Sequence, residues 1–184
     1  LKTYYKEDFI AATMSTELTN TSKLREFVEE LKRLNIEIIR PSINNCFAEF
    51  KAEKNKIYYG LGAIKNVGFE AISNIINERE KKGKFKSLTD FISRVDPKDV
   101  NKLQLEGLVK SGALDDFDKD RNKILNSIPK IILQIKKINE DKLNNQSSLF
   151  DDNYSNKENF DYLPSNKWTK KELLLEEFKS LGFY

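Results

Sequence analysis

The chain has 184 residues, enough for one good hydrophobic core with appended elements. Its 39% hydrophobic and 33% charged content fits a globular protein rather than a disordered one, and a net charge of +3 is too mild to name a partner. The absence of histidine excludes His-based triads, Cys-His pairs and most zinc sites, while the single cysteine, Cys46, excludes an internal disulfide and suits a reducing cytoplasm.

Leu1 to Phe9 carry neither an initiator Met nor a signal-peptide pattern, and Leu181 to Tyr184 stop on apolar residues, so both ends read as cut. A first helix is expected over residues 7–18, with Phe9, Ile10, Thr13, Met14 and Leu18 at helical spacing. Thr19-Asn20-Thr21-Ser22 breaks and re-caps the chain, and a second helix follows with Leu24, Phe27, Val28, Leu31 and Leu34 on one stripe. Ile36 to Ile39 form a short β-like run stopped by Pro41. Two more short strands are expected at 47–51 and 57–60, joined by the polar turn Glu53-Lys54-Asn55.

From Leu61 the pattern turns helical again, with a helix opening at Gly68 and interrupted by Gly83. Ser87-Leu88-Thr89-Asp90 has the form of a helix start, and Pro97 ends that helix. Asn101 can cap a further helix that turns Leu105, Leu108 and Val109 inward and stops at Gly112. Asp120 starts a longer one, kinked at Pro129, which carries isoleucines from Ile124 to Ile138. Residues 139–165, dominated by Asn, Ser, Asp and Lys, read as an extended surface connection. Thr169-x-x-Glu172 then caps a last helix with Leu173, Leu174, Leu175 and Phe178, ended by Gly182. The fold class is mainly α with a few short β-strands. No apolar run is long enough to span a membrane.

Charge is unevenly spread. Residues 51–86 hold nine basic side chains against four acidic ones, whereas residues 139–184 hold six against nine. A basic middle and an acidic tail point to two different partners.

The run 61–71, Leu-Gly-Ala-Ile-Lys-Asn-Val-Gly-Phe-Glu-Ala, leads apolar residues into a tight turn at Lys65, Asn66, Val67 and Gly68 and then into a helix. Such a turn exposes backbone N–H groups, to which the helix adds its own unpaired ones and its positive dipole end. That arrangement binds a phosphate oxygen without reading a base. An ordinary glycine turn before a core helix is the alternative for this segment alone. The pattern resembles a helix-hairpin-helix motif: Gly68 and Ala71 match, and Asn66 stands where the first glycine is usual. Asn tolerates the left-handed conformation that such a position needs.

Further stretches extend the likeness. The runs 59–68, 85–91 and 108–115, with Asn101-Lys102 between them, resemble the bacterial DNA polymerase III alpha subunit. Residues 9–18 and 36–44 are similar to the end of that family's fingers region, and 181–184 to the stretch leading into its oligonucleotide-binding fold. The chain departs from the family at Arg40 and Ser42, and at Gly107, where a larger residue is usual. The resemblance implies a fingers remnant over 1–40, a tandem helix-hairpin-helix domain over 41–118, and a linking helix, clamp-binding segment and terminal helix over 119–184. It also implies a second hairpin at Lys110-Ser111-Gly112-Ala113, in which Lys110 and Gly112 would either face DNA or serve only as a structural partner of the first. Asp115 and Asp116 follow closely and would repel a phosphate.

Gln146-Ser147-Ser148-Leu149-Phe150 places two hydrophobes in a polar stretch, which either tuck back onto the domain or form an anchor peptide that fills a pocket on a partner. It resembles the bacterial sliding-clamp-binding motif, at the position where the polymerase family carries it. The family's phosphoryl transfer uses two metal ions held on palm-domain aspartates upstream. The expectation is therefore an internal fragment without catalytic residues, metal or cofactor of its own, the Mg2+ lying in the parent's palm. Asp115 to Asp120 is no calcium loop, because Arg121 and Ser127 stand where glycine and glutamate are required. The implied partners are duplex DNA, the sliding clamp and the rest of the polymerase. A helix-hairpin-helix scaffold that binds protein and has lost DNA is the alternative.

Overall fold

The computed structural model describes residues 6–144 and 159–182. Helix α1 (Lys6–Thr16) buries Ile10, Ala11 and Met14, while Phe9 stays half exposed. Asn20 caps α2 (Thr21–Arg33) by accepting from the Lys23 N–H at 3.2 Å, and Leu24, Val28 and Leu31 form its buried stripe. Leu34 falls just past the end of α2 and is partly exposed rather than part of that stripe.

The three strands β1 (Glu37–Ile39), β2 (Lys51–Glu53) and β3 (Lys56–Tyr58) form a sheet in the order β1-β3-β2. β1 runs parallel to β3, and β2 antiparallel. The second strand sits later than the 47–51 expected. Lys54 and Asn55 both take positive φ (46° and 61°), which builds a two-residue turn and pairs Glu53 with Lys56. Phe47 makes only an isolated bridge to Gly60. Ser15 on α1 fastens this hairpin, accepting from the Phe50 N–H at 3.1 Å.

Beyond the sheet the chain makes a single 3-10 turn (Leu61–Ala63), then α3 (Phe69–Lys82), α4 (Leu88–Arg94), a second 3-10 turn (Pro97–Asp99), α5 (Lys102–Lys110) and α6 (Arg121–Leu143). Side-chain caps start the later helices: Ser87 accepts from the Asp90 N–H, Asn101 from Gln104 and Asp120 from Lys123. α6 runs through Pro129 without a break and continues to Leu143, so residues 139–143 belong to a helix and not to the extended connection expected there. Residues 160–166 return along α6, where Ser127 accepts from the Leu163 N–H and Lys130 donates to Asp161. The last helix, α7 (Lys170–Leu181), opens with a full capping box between Thr169 and Glu172 and stops at Gly182, whose φ is 83°.

The core runs from α1 and α2 through the sheet to α6 as one cluster, with Ile57, Leu61, Ile72, Phe91, Leu108 and Ile128 fully or almost fully buried. Arg79 is buried among these residues and donates to the carbonyl oxygens of Ile43 and Cys46. Its guanidinium lies 4.9 Å from the centre of the Phe47 ring and pairs with Glu80. It is therefore structural, and not one of the basic groups that residues 51–86 offer to a partner. The fold is mainly α with a small sheet, and no described helix is long and apolar enough to cross a membrane.

Candidate nucleic-acid interface

The first hairpin is the segment from the 3-10 turn at Leu61–Ala63 to α3. Its leading helix is shorter than the sequence pattern suggests. Gly60 and Gly62 press against the backbone of residues 48–50, leaving one 3-10 turn before the reversal. Asn66 takes φ 68°, the left-handed conformation expected of it. Gly68 is the N-cap of α3 in an ordinary extended conformation, φ −69° and ψ 134°. A Cβ at Gly68 would meet nothing closer than the Gln104 side chain at 3.8 Å. Gly68 thus keeps the mouth of α3 open rather than relieving strain.

Lys65, Asn66 and Gly68 are exposed, and Val67 is buried as the apolar peg of the turn. The turn's own N–H groups are largely taken. Lys65 donates to the Ser180 carbonyl at 3.0 Å, Val67 to the Ile64 carbonyl at 3.1 Å, and Gly68 to Gln104 Oε1 at 3.4 Å. What remains for an anion is the first turn of α3, where the N–H groups of Phe69, Glu70 and Ala71 have no carbonyl of their own helix to bond. The Lys65 side chain of the same turn is exposed and takes part in none of the described ion pairs. Glu70 is the acidic residue of that first turn and competes with an incoming anion.

The second hairpin joins α5 to α6. Gly112 takes φ 87° as the left-handed residue after α5, and the N–H groups of Gly112 and Ala113 return to the Val109 and Leu108 carbonyls. Here the charges are occupied. Arg121 forms two bonds of 2.9 Å to the Asp115 carboxylate, one of 2.9 Å to Glu177, and one of 3.1 Å to the Lys110 carbonyl. Burial works against the charge of this guanidinium, but its bonds to Asp115 and Glu177 outweigh that and raise its pKa. The Lys110 ammonium pairs with Glu176 at 3.3 Å. Asp116 accepts from the neutral donors Ser42 and Asn44 and has no cationic partner among the described ion pairs.

Helix α7 therefore touches both hairpins, through Ser180 on the first and through Glu176 and Glu177 on the second. Sequence reasoning gave α7 its cap and its end but not this role. It also missed Gln104, whose only sequence signal is its place after the Asn101 cap. Cys46 is fully buried, and burial pushes its thiol up to about 11, in keeping with an inert core residue. Among the described residues no cluster of acidic and cysteine side chains could hold a metal ion. Gln146, Ser147, Ser148, Leu149 and Phe150 lie outside the described residues.

A family model described as the helix-hairpin-helix motif matches residues 35–124, a span that includes both hairpin turns. The chain is 38% identical to the DNA polymerase III subunit alpha of Borreliella burgdorferi and 36% identical to that of Campylobacter jejuni. Each match covers 100% of this chain and 16% of the relative. The same subunit of Helicobacter pylori is 47% identical over 68% of the chain and 11% of its own length. With similarity along its whole length and the hairpin motif inside it, the chain belongs to the bacterial DNA polymerase III alpha subunit family and corresponds to a small part of those proteins.

Proposed function

We propose that this chain grips the sugar-phosphate backbone of duplex DNA without sequence preference and ties its polymerase to the bacterial sliding clamp. The observation that carries the DNA reading is the first hairpin. Left-handed Asn66 turns the chain into the open N-terminus of α3, and Lys65 in the same turn is exposed with no carboxylate partner described. Phosphate oxygens suit such a site because N–H groups and an ammonium hold charge without touching a base edge. The second hairpin acts as its structural partner. Lys110 and Gly112 keep the family's positions, but Glu176 pairs with the Lys110 ammonium and the Arg121 guanidinium fills the space a Cβ on Gly112 would take, so a phosphate there would have to displace an ion pair.

The clamp tether rests on the motif Gln146 to Phe150 and its position between α6 and α7. In this reading the parent protein is a DNA-directed DNA polymerase of the cytoplasm. Its Mg2+ and catalytic aspartates lie in a palm domain, and this piece adds grip and attachment but makes no DNA alone. The occupied N–H groups of Lys65 and Gly68 favour a second reading, a helix-hairpin-helix scaffold for protein that has lost DNA. Titration of the chain with duplex DNA at several salt concentrations separates the two, since a scaffold shows no salt-dependent DNA binding.

A further inference from the structure

A groove of about 690 Å³ lies between the start of α2, the turn of the first hairpin and the last turn of α7. Among the described residues three cationic side chains line it, Arg25, Lys65 and Lys179, together with Thr19, Thr21 and Asn66, and no carboxylate does. Lys179 is engaged by Glu176 at 2.7 Å, so its charge is largely matched. Arg25 is exposed and donates one N–H to the Gly182 carbonyl at 2.6 Å, a neutral acceptor that fixes the guanidinium without cancelling its charge. A guanidinium has five donors in a planar fork, which leaves a face that matches a phosphate. The Ser180 carbonyl at the end of α7 and the Gly182 carbonyl just past it each accept one hydrogen bond here, from the Lys65 N–H and from Arg25.

We infer that this groove is a phosphodiester track continuous with the first hairpin, in which Arg25 holds a second phosphate of the DNA backbone beside the one held by Lys65 and α3. The inference rests on the DNA reading above and extends it. The footprint leaves the helix-hairpin-helix segment at 35–124 and reaches α2, with the end of α7 as the wall that orients Arg25. Continuity favours DNA over an acidic peptide, because Lys65 and Asn66 belong to the hairpin and the groove alike.

The test uses the full chain and a duplex oligonucleotide titrated across a salt series. Arg25→Gln keeps a polar amide at this position and removes the charge. It should flatten the log–log salt slope by about 0.9, as Lys65→Ala does, while Arg25→Lys keeps the parent slope. Thr19→Glu leaves Arg25 in place and should weaken binding at every salt concentration by putting a carboxylate in the track. A parent slope for Arg25→Gln together with a flattened slope for Lys65→Ala would overturn the track and leave the hairpin reading standing. Failure of the parent chain to bind duplex at low salt would overturn both. Capture of a polyglutamate peptide by the parent but not by Arg25→Gln, with DNA binding unchanged, would reassign the groove to protein and overturn the proposal.

Discussion

Gly107 on α5 stands so close to Lys65 that a Cβ there would lie 2.6 Å from the Lys65 carbonyl oxygen and 3.3 Å from a Val67 methyl. The missing side chain lets α5 lie against the turn of the first hairpin, and the departure from a larger residue at this position has a local purpose. Two effects of Gly107→Ala oppose each other. Helix propensity favours alanine by about 1 kcal/mol, while forcing a methyl into a packed contact typically costs about 1–3 kcal/mol. The obstacle is backbone, and the N–H of the same residue is held by Ser180, with Val67 N–H bonded to Ile64 on the other side of the turn, so the contact should win. Gly107→Ala should lower the stability measured by urea unfolding and weaken DNA binding with it. A variant as stable as the parent would mean that α5 and the turn are not in this contact.

Arg121 ties the second hairpin to α7. Removing one partner of a buried ion pair typically costs about 3–5 kcal/mol, because the other charges stay behind without compensation. Arg121→Ala should fall in that range by urea unfolding. Arg121→Lys should recover only part of the loss, since an ammonium cannot bridge Asp115 bidentately and reach Glu177 as well. Equal stability of Arg121→Ala and the parent would remove α7 from the hairpin unit.

Acid should loosen the same region. The bond from Lys179 holds the Glu176 carboxyl below its ordinary 4.5, opposed by burial and helped by Lys110. Burial tends to raise Asp118, but the Asp120 N–H and Lys123 outweigh it and hold the carboxyl below 3.8. Groups depressed in the folded state stabilise it above their unfolded values and lose that contribution as pH falls through the folded ones. The urea midpoint should therefore drop as pH is lowered below about 4.5, and Glu176→Gln should make the drop shallower. A midpoint that rises on acidification would contradict these pairings.

Much of the helix pattern was legible because caps are local. Asn20, Ser87, Asn101, Asp120 and Thr169 each bond an N–H three residues on, a distance that sequence spacing exposes. Asn66 was legible for the same reason, its left-handed φ being a property of its own backbone. The rest depended on partners far along the chain. Arg79 counted among the nine basic side chains of residues 51–86, and the Ile43 and Cys46 carbonyls to which it donates belong to another segment. Gly107 and Gln104 gave no sign of the hairpin they meet, and the pairing of Arg121 with Glu177 links two helices that nothing in their local patterns relates. The strand expected at 47–51 slipped because the turn at Lys54-Asn55, and not the apolar run, sets the register.

The clamp reading makes a separate prediction. A peptide spanning 144–152 should bind the cognate sliding clamp weakly, with Phe150 as the main anchor because an aromatic ring buries the most area. Phe150→Ala should cost about 2 kcal/mol or more, roughly thirtyfold, and Gln146→Ala less. No binding by the parent peptide, where the whole polymerase binds, would place the tether elsewhere.

The most direct test of DNA grip is a titration of the chain with two duplexes of unrelated sequence over a salt series, repeated with Lys65→Ala. The expected result is equal affinity for both duplexes, a steep linear fall of log affinity with log salt, and a slope flattened by about 0.9 in the variant. A marked preference between the duplexes, no binding at low salt, or an identical slope for Lys65→Ala would contradict the assignment of the first hairpin as a phosphate grip.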